Sequence, residues 1–216
     1  MLIIFSYTSK GMQKEILSDK QKELLPFLKR FKRNYYLVGG TAIALHIGHR
    51  RSIDFDLFTH SPLNKKKISA EIQELKKNTQ PLYFDTDQQH YIINEVKCTF
   101  FYYPYPIEHP EHFQDIISLP SLLDLAAMKA FALGRRSKWK DYVDLYFILK
   151  EYYTMKQIIE RAKYYFPDQI SEKLFRNQLA FHKDIDYTEE VDYMINNPPA
   201  QKEIKDFLIE IATQPF

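Results

Sequence analysis

The chain has 216 residues, a net charge of +2 from 30 basic and 28 acidic side chains, and 15% aromatic residues. This composition is typical of a folded globular protein and excludes a disordered chain, while the balanced charge excludes a general nucleic-acid binder but not a local basic patch. Cys98 is the single cysteine, so no internal disulfide can form, which fits a reducing cytoplasm. The N-terminal apolar run is too short for a signal peptide, and no stretch approaches the ~18 apolar residues of a membrane span. We therefore expect a soluble, cytoplasmic protein.

The first 80 residues predict short helices around buried strands. Residues 2–7 fit either an edge strand or a docked segment. Ser18, followed three residues later by Gln21, is typical of a capping box and predicts a helix that Pro26 would kink or break. The sequence then predicts a strand over 35–38, a small-residue helix over 41–47, a strand over 52–58 and a helix over about 63–77.

From Pro81 to Tyr103 the apolar alternation predicts two or three antiparallel strands, with turns near Asp87 and Glu95 and with Leu82 and Phe84 among the residues of the apolar side. The prolines that follow would end the sheet, so we predict a domain boundary after residue 106. Residues 1–106 would form an α/β (α+β) domain with a mixed sheet and flanking helices, and 107–216 a helical bundle closing over it. The predicted helices of this second half cover residues 120–133, ending at Gly134, then 138–152, 155–166, 171–181 and 198–212.

Two motifs in the stretch YYLVGGTAIALHIGHRRSIDFDLF point to chemistry. Gly39 and Gly40 would let the backbone approach phosphate oxygens, and the N–H groups that open the next helix favour an anion. Residues two apart on a strand share a face, so Ile53, Phe55 and Leu57 would point one way, and Asp54 and Asp56 would lie side by side on the other face. Two such carboxylates suit Mg²⁺, which binds through one or two carboxylates plus substrate phosphates. The stretch predicts a site for a metal and a nucleoside triphosphate.

Each motif alone is more often structural. A Gly-Gly pair is usually a tight turn, and two acids on a strand edge are often merely solvated. One short helix and the segment 49–52 join the two motifs. This combination favours a functional site.

The same stretch closely resembles the first motif of nucleotidyltransferases typified by the AbiEii/AbiGii abortive-infection toxins. In that family the pattern is roughly G-G-T-A-L-A-L-H-x-G-H-R-x-S-x-D-x-D-L-F. The matching residues are Gly39, Gly40, Thr41, Ala42, His46, Gly48, His49, Arg50, Ser52, Asp54, Asp56, Leu57 and Phe58.

A second constellation lies in the stretch 124–149 and resembles the distal motifs of that family. Lys129 matches a lysine on a helix, Arg135 or Arg136 an arginine, and Asp141 and Asp144 an acidic pair. Lys129 stands in a strongly apolar segment, so its amine must either snorkel outward or reach a polar pocket, where it would suit triphosphate oxygens. The two aspartates share one helix face. One would bind metal or the sugar or hold Lys129 in place, and the other would form a salt bridge to Arg135 or Arg136.

One departure concerns a third carboxylate, which this superfamily often carries on a strand after the D-x-D pair. The corresponding strand here offers Thr99 or Cys98 instead. The site would then use two carboxylates, with help from Asp144, or be weakened. His46 and His49 are interpreted as packing and hydrogen-bonding groups because no further ligand completes a zinc set, and Cys98 as inert core.

The resemblance implies a Mg²⁺- (or Mn²⁺-) dependent transfer of NMP from an NTP to an acceptor hydroxyl on tRNA or a protein. It also implies the toxin of a toxin–antitoxin or phage-defence pair, with a cognate antitoxin. The implied roles are catalysis and metal binding for Asp54 and Asp56, catalysis for Lys129 and Asp144, and substrate binding for Gly39, Gly40, Thr41, Arg50, Ser52 and Asp141.

Two rival hypotheses remain at this stage. An inert module with the same fold would keep its cellular effect after Asp54→Asn with Asp56→Asn, whereas an enzyme would lose it. A small-molecule nucleotidyltransferase with a cationic acceptor would have an acidic pocket, whereas an RNA acceptor requires a basic rim.

Overall fold

A computed structural model of the protein describes residues 11–133 and 135–215. The segment 2–7 and the helix end at Gly134 lie outside the described residues. The described part forms one mixed α/β structure in which eight α-helices flank a seven-stranded sheet. Its strands are β1 Tyr36–Val38, β2 Asp54–Thr59, β3 Thr79–Phe84, β4 Gln88–Ile93, β5 Val96–Tyr102, β6 Glu111–Phe113 and β7 Ile117–Leu119.

The sheet has the strand order β3-β4-β5-β2-β1-β7-β6. β2 runs parallel to β5, and β1 runs parallel to β7, while the remaining neighbours are antiparallel. The mixed α/β class predicted from the sequence is confirmed. The central position of β2 places its side chains where elements from both halves of the chain can reach them.

The helices follow the predicted pattern with shifted ends. Asp19–Lys29 begins with the predicted capping box of Ser18 and Gln21, and Pro26 lies inside it without dividing it. The eight helices are α1 Asp19–Lys29, α2 Gly39–Ile47, α3 Lys65–Glu74, α4 Leu122–Leu133, α5 Trp139–Glu151, α6 Met155–Tyr165, α7 Glu172–Ala180 and α8 Gln201–Thr213.

Three expectations about the first half are wrong. Gly39 and Gly40 form the first turn of α2 itself, with Val38 at the N-cap, instead of a separate turn before it. Ile53 precedes β2 and is 59% exposed, so it does not share the buried face of Phe55 and Leu57. Leu82 and Phe84, predicted to be on the apolar side of the hairpin, are also about half exposed, because β3 is an edge strand.

The prediction that the chain is helical throughout after about residue 107 is wrong as well. β6 and β7 form a hairpin over residues 111–119, and β7 pairs with β1. The sheet therefore continues beyond residue 106. The division into domains 1–106 and 107–216 stays a prediction.

The core joins both halves of the chain, since one cluster of buried residues includes Phe100 of β5 and Leu125 of α4. Phe27, Phe31 and Phe100 pack edge-on or tilted against one another beneath the sheet, and Cys98 is buried beside them in β5. In the described residues, no helix is long and apolar enough to cross a membrane.

Candidate active site

The first turn of α2 lies directly against β2. Gly39 has a φ of +72°, and a Cβ added to it would overlap the Asp56 carboxylate. A Cβ added to Gly40 would lie 2.6 Å from Arg50 Nη2 and 3.1 Å from Ser52 Oγ. Both glycines are required because only a residue without a side chain lets the helix start approach these groups.

We expect Gly39→Ala to destabilise the fold by at least about 1–2 kcal/mol, the cost of left-handed backbone for a residue with a Cβ. Displacement of the Asp56 carboxylate adds to this cost. Urea unfolding of the variant measures the effect. Gly11→Ala is the matched control, because a Cβ there meets nothing within 4 Å. Equal stability of the two variants would contradict the close approach.

Asp54 and Asp56 lie on one face of β2, both half-buried, as the alternation predicted. Lys97 of β5 stands opposite Asp54 in the register, and Thr99 stands opposite Asp56. Burial and the neighbouring charge of Asp56 raise the pKa of Asp54, while Lys97 acts in the opposite direction. The two acids therefore form a pair of like charges that a cation would stabilise.

Thr41 and Ser52 lie at the base of this arrangement. The buried Thr41 hydroxyl donates to the backbone carbonyl of Asp54. Ser52 is nearly buried, and its carbonyl accepts a 2.8 Å hydrogen bond from Gln21 Nε2 of α1. These contacts fix the position of β2 relative to α2. The Thr41 side chain is thus engaged with the strand, and its backbone N–H remains the group near the helix start.

A buried ionic cluster lies behind the helix start. Asp144 of α5 is fully buried, and its oxygens accept from Arg50 Nε at 2.8 Å and from Arg50 Nη2 at 2.9 Å. His49 Nε2 lies 2.7 Å and Lys129 Nζ 3.0 Å from the same carboxylate. Lys129 Nζ also donates to Asp141 at 2.7 Å. The cluster joins the segment before β2 to α4 and α5.

The cluster is charged despite its burial. Burial alone would raise the pKa of Asp144, but Arg50 and Lys129 hold it well below its usual range. Asp141 and Asp144 likewise keep the pKa of the buried Lys129 raised. Burial lowers the pKa of His49, so its imidazole is neutral at pH 7 and donates from Nε2. Asp141 also pairs with Arg136, whose side chain is half exposed. The cations Arg50, Lys129 and Arg136 therefore outnumber the two carboxylates by one.

An irregular segment before α8 is hydrogen-bonded both to the chain before β2 and to the start of α5. Met194 N–H donates to the His49 carbonyl at 3.0 Å, and Arg51 N–H donates to the Asp192 carbonyl at 2.8 Å. Farther back in the same segment, the Asp186 carbonyl accepts from Trp139 N–H at the start of α5. This segment therefore fixes both chain stretches that supply cluster residues.

The structure brings three of the predicted site residues to one pocket and buries three others behind it, while Gly40, Thr41, Ser52 and Asp54 are not among the residues that line the pocket. Gly39, Asp56 and Lys129 line one pocket, together with Arg136. Arg50, Asp141 and Asp144 are buried behind it and contact one another or Lys129. Arg50 also donates a 2.9 Å hydrogen bond to the Arg51 carbonyl in the loop before β2. Both aspartates hold Lys129, and Asp141 also pairs with Arg136 at 2.9 Å.

The pocket has a volume of about 530 Å³ and lies between the sheet and α4. Its lining is polar near Asp56 and aromatic farther along the same strands, because Phe58 follows Asp56 by two residues and Phe101 follows Thr99 by two. Such a cleft, apolar with a few convergent polar groups, is typical of small-molecule sites. The aromatic lining residues are Phe58, Phe101, Tyr103, Tyr105 and Phe131.

The sequence interpretation missed Lys97 and His90, which both line the pocket. Lys97 was included only in the strand that lacks the third carboxylate, and His90 was not singled out. Thr99, at the position considered for that acid, lies between Asp56 and His90 in the register. The alternation within β4 and β5 indicates which of their side chains share a face. Only the pairing of β5 with β2 shows that this is the face of Asp56.

A divalent cation fits the two carboxylates. The described residues contain no group of three or more His, Cys, Asp or Glu side chains that could hold a metal by themselves. Mg²⁺ does not need such a set, since it is usually bound by one or two carboxylates together with substrate phosphates. The paired Asp54 and Asp56 beside the first turn of α2 match that requirement.

The fold is shared with three solved structures, two of which are described as nucleotidyltransferases. MenT4, the nucleotidyltransferase toxin Rv2826c from Mycobacterium tuberculosis H37Rv, aligns over 90% of this chain and 82% of its own, with a TM-score of 0.57 and 12% identity. JHP933 from Helicobacter pylori aligns over 93% of this chain and 91% of its own, with a TM-score of 0.56 and 16% identity. A putative nucleotidyltransferase from H. pylori aligns over 89% of this chain and 91% of its own, with a TM-score of 0.55 and 17% identity.

A comparison of the sequence with protein-family profiles identifies the family of this chain. The profile described as "Nucleotidyl transferase AbiEii toxin, Type IV TA system" matches residues 27–107 and 95–215. This chain therefore belongs to the AbiEii nucleotidyltransferase toxin family, as its motifs predicted. An uncharacterized protein of Aquifex aeolicus (strain VF5), aq_aa25, is 36% identical over 135 residues, which are 60% of this chain and 65% of that protein. The chain thus matches slightly less than two thirds of that relative's length.

Proposed function

We propose that this protein is a Mg²⁺-dependent nucleotidyltransferase that transfers NMP from an NTP to an acceptor hydroxyl and releases pyrophosphate. The observation that supports it best is the convergence of Gly39, Asp56 and Lys129 on one pocket. A helix start favours phosphate oxygens, paired carboxylates favour a cation, and a lysine offsets triphosphate charge. When bound, Mg²⁺ (or Mn²⁺) on Asp54 and Asp56 would polarise the α-phosphate.

Each group has a defined task in this proposal. The backbone N–H groups of Gly39, Gly40 and Thr41 orient the phosphates. Lys129 has three N–H donors, of which Asp141 and Asp144 take two. The third is left for a phosphate oxygen in the pocket. Asp144 acts as a positioning residue, because it is fully buried and holds Lys129 and Arg50.

The charges around the pocket favour an anionic acceptor. Lys97, Arg135 and Arg136 line it, and the Arg136 side chain is 52% exposed. An RNA acceptor requires such a basic rim, whereas a cationic small molecule would require an acidic one. We therefore propose tRNA as the acceptor in preference to a cationic small molecule. The protein would act in the cytoplasm as a phage-defence toxin restrained by a cognate antitoxin.

Labelled nucleotides test the reaction. The protein is incubated with Mg²⁺, total RNA or cell protein, and each of the four NTPs labelled at the α- or the γ-phosphate. The proposal predicts that α-label, and no γ-label, appears in the RNA with release of pyrophosphate. Absence of transfer from every NTP to either acceptor, or transfer of γ-label, would contradict it.

The acceptor assignment predicts that Arg135→Gln weakens RNA binding. Arg135 lines the pocket and lies 3.6 Å over the Phe131 ring, so its loss removes one phosphate-binding cation from the rim. The slope of the logarithm of the RNA-binding constant against the logarithm of the salt concentration is expected to become shallower by about one phosphate contact. Lys156→Gln, at an 85% exposed side chain on α6, is the control. An unchanged slope for Arg135→Gln would instead favour a small-molecule acceptor.

A further inference from the structure

His90 lies two strands away from Asp56, on the same face of the sheet. In the strand register, Asp56 of β2 pairs with Thr99 of β5, and Thr99 pairs with His90 of β4. All three residues line the pocket. Strands lie about 4.8 Å apart, so His90 faces Asp56 across about 10 Å of backbone, with Thr99 between them. This distance leaves room for an α-phosphate and an attacking hydroxyl.

Neighbouring hydrogen bonds define which nitrogen of His90 carries the proton. The hydrogen bond from the Gln88 side chain, with further ones from the Asp87 backbone and Tyr83, outweighs burial and lowers the pKa of Asp85 to about 2. The ionised carboxylate only accepts, so Gln88 Nε2 donates to Asp85 Oδ2 at 3.0 Å. Gln88 Oε1 must then accept from His90 Nε2, which lies 2.8 Å away.

The second ring nitrogen, Nδ1, is therefore the unprotonated one. Burial lowers the pKa of His90, Lys97 lowers it further, and Asp56 and Asp85 oppose the shift. The imidazole is neutral at pH 7, with the basic lone pair on Nδ1. Within residues 11–133 and 135–215, Nδ1 forms no hydrogen bond. A neutral, oriented imidazole in the pocket is the arrangement that general-base catalysis requires.

We infer that His90 is the general base that deprotonates the acceptor hydroxyl, an assignment that rests on the proposed nucleotidyl transfer. Nδ1 takes the hydroxyl proton while the acceptor oxygen forms its bond to the α-phosphorus. The bond between the α-phosphorus and the bridging oxygen breaks, and pyrophosphate leaves with that electron pair. The proton on Nδ1 then passes to water. His90 thus supplies a base in a site where the adjoining strand carries Thr99 instead of an acid.

Chemical rescue tests this inference. Single-turnover transfer by His90→Gly is expected to fall about 10²-fold or more, the usual contribution of a general base. Binding of a non-hydrolysable NTP should be unchanged, because the inference gives His90 no contact with the triphosphate. Added imidazoles should restore the rate, and the restored rate should rise with the basicity of the imidazole. Gln88→Leu should lower the rate by less, since it removes the group that orients the ring.

The controls separate this inference from the proposed function. His112→Gly removes an exposed histidine from β6, at the far edge of the sheet, and should change neither rate nor binding. If the unaltered protein transfers no nucleotide to any acceptor, the proposed function fails. If it does transfer and His90→Gly keeps the same rate, only the base assignment fails. If His90→Gly folds and loses its rate but no imidazole restores it, the base assignment also fails. The assignment fails as well if His90→Gln loses NTP binding together with its rate.

Discussion

Asp56→Asn is expected to lower nucleotide transfer by about 10²-fold or more, the typical cost of removing one group that stabilises charge in a transition state. Asp56 lies in the pocket against Gly39, and the substitution keeps its shape while removing the charge that would hold the cation. Stability should be unchanged or slightly higher, because the neighbouring charge of Asp56 raises the pKa of Asp54 and is therefore unfavourable in the free protein. Single-turnover transfer and urea unfolding measure the two effects.

The matched control is Asp87→Asn, at an exposed residue of the turn before β4. It removes the same charge outside the pocket and should leave transfer unchanged. Full activity of Asp56→Asn would exclude Asp56 as a metal ligand. A large loss of stability in Asp56→Asn would mean that lost transfer reflects the fold and not the chemistry.

Asp144→Asn is expected to lower the free energy of unfolding by about 3–5 kcal/mol, the cost of removing one partner from a buried ion pair. The substitution leaves Arg50 and Lys129 buried with too few carboxylate oxygens. In a chain of this size, Tm falls by about 2–4 °C for each kcal/mol lost from the free energy of unfolding, so we expect Tm to fall by roughly 6–20 °C. Asp115→Asn is the control, because that carboxylate is 73% exposed and its pairs with Lys29 and Lys32 are worth little.

The same residue gives the stability a defined pH dependence. The pKa of Asp144 is lowered in the folded state, so its contribution is fully present above the unfolded pKa of about 3.9 and is lost as the pH falls below it. Asp144→Asn should therefore flatten the acid side of the stability curve. An unchanged curve, or a loss below 1 kcal/mol, would contradict the buried cluster.

The elements of the first half were predictable because their signals are local. A capping box fixes the start of α1, and the alternation Asp54, Phe55, Asp56 fixes which side chains of β2 share a face. The glycines identified the place where a helix start meets the strand. The position of Lys129 was also predictable in outline, since a lysine in an apolar helix needs a polar partner.

The remaining features depend on pairings between distant residues. The strand β7 is short and pairs with β1, about 80 residues earlier, so its own sequence gives little periodicity. His90 becomes relevant only when β4, β5 and β2 are placed in register. The burial of Asp144 depends on Arg50, which lies 94 residues away in the chain. Such long-range contacts leave no regular spacing in the sequence.

A crystal structure with Mg²⁺ and a non-hydrolysable NTP tests the geometry most directly. We expect the metal between Asp54 and Asp56, the triphosphate over the first turn of α2 and within hydrogen-bonding distance of Lys129 Nζ, and the base against the aromatic lining of the pocket. A nucleotide bound elsewhere, or a triphosphate out of reach of both Lys129 and the α2 start, would contradict the proposed active site.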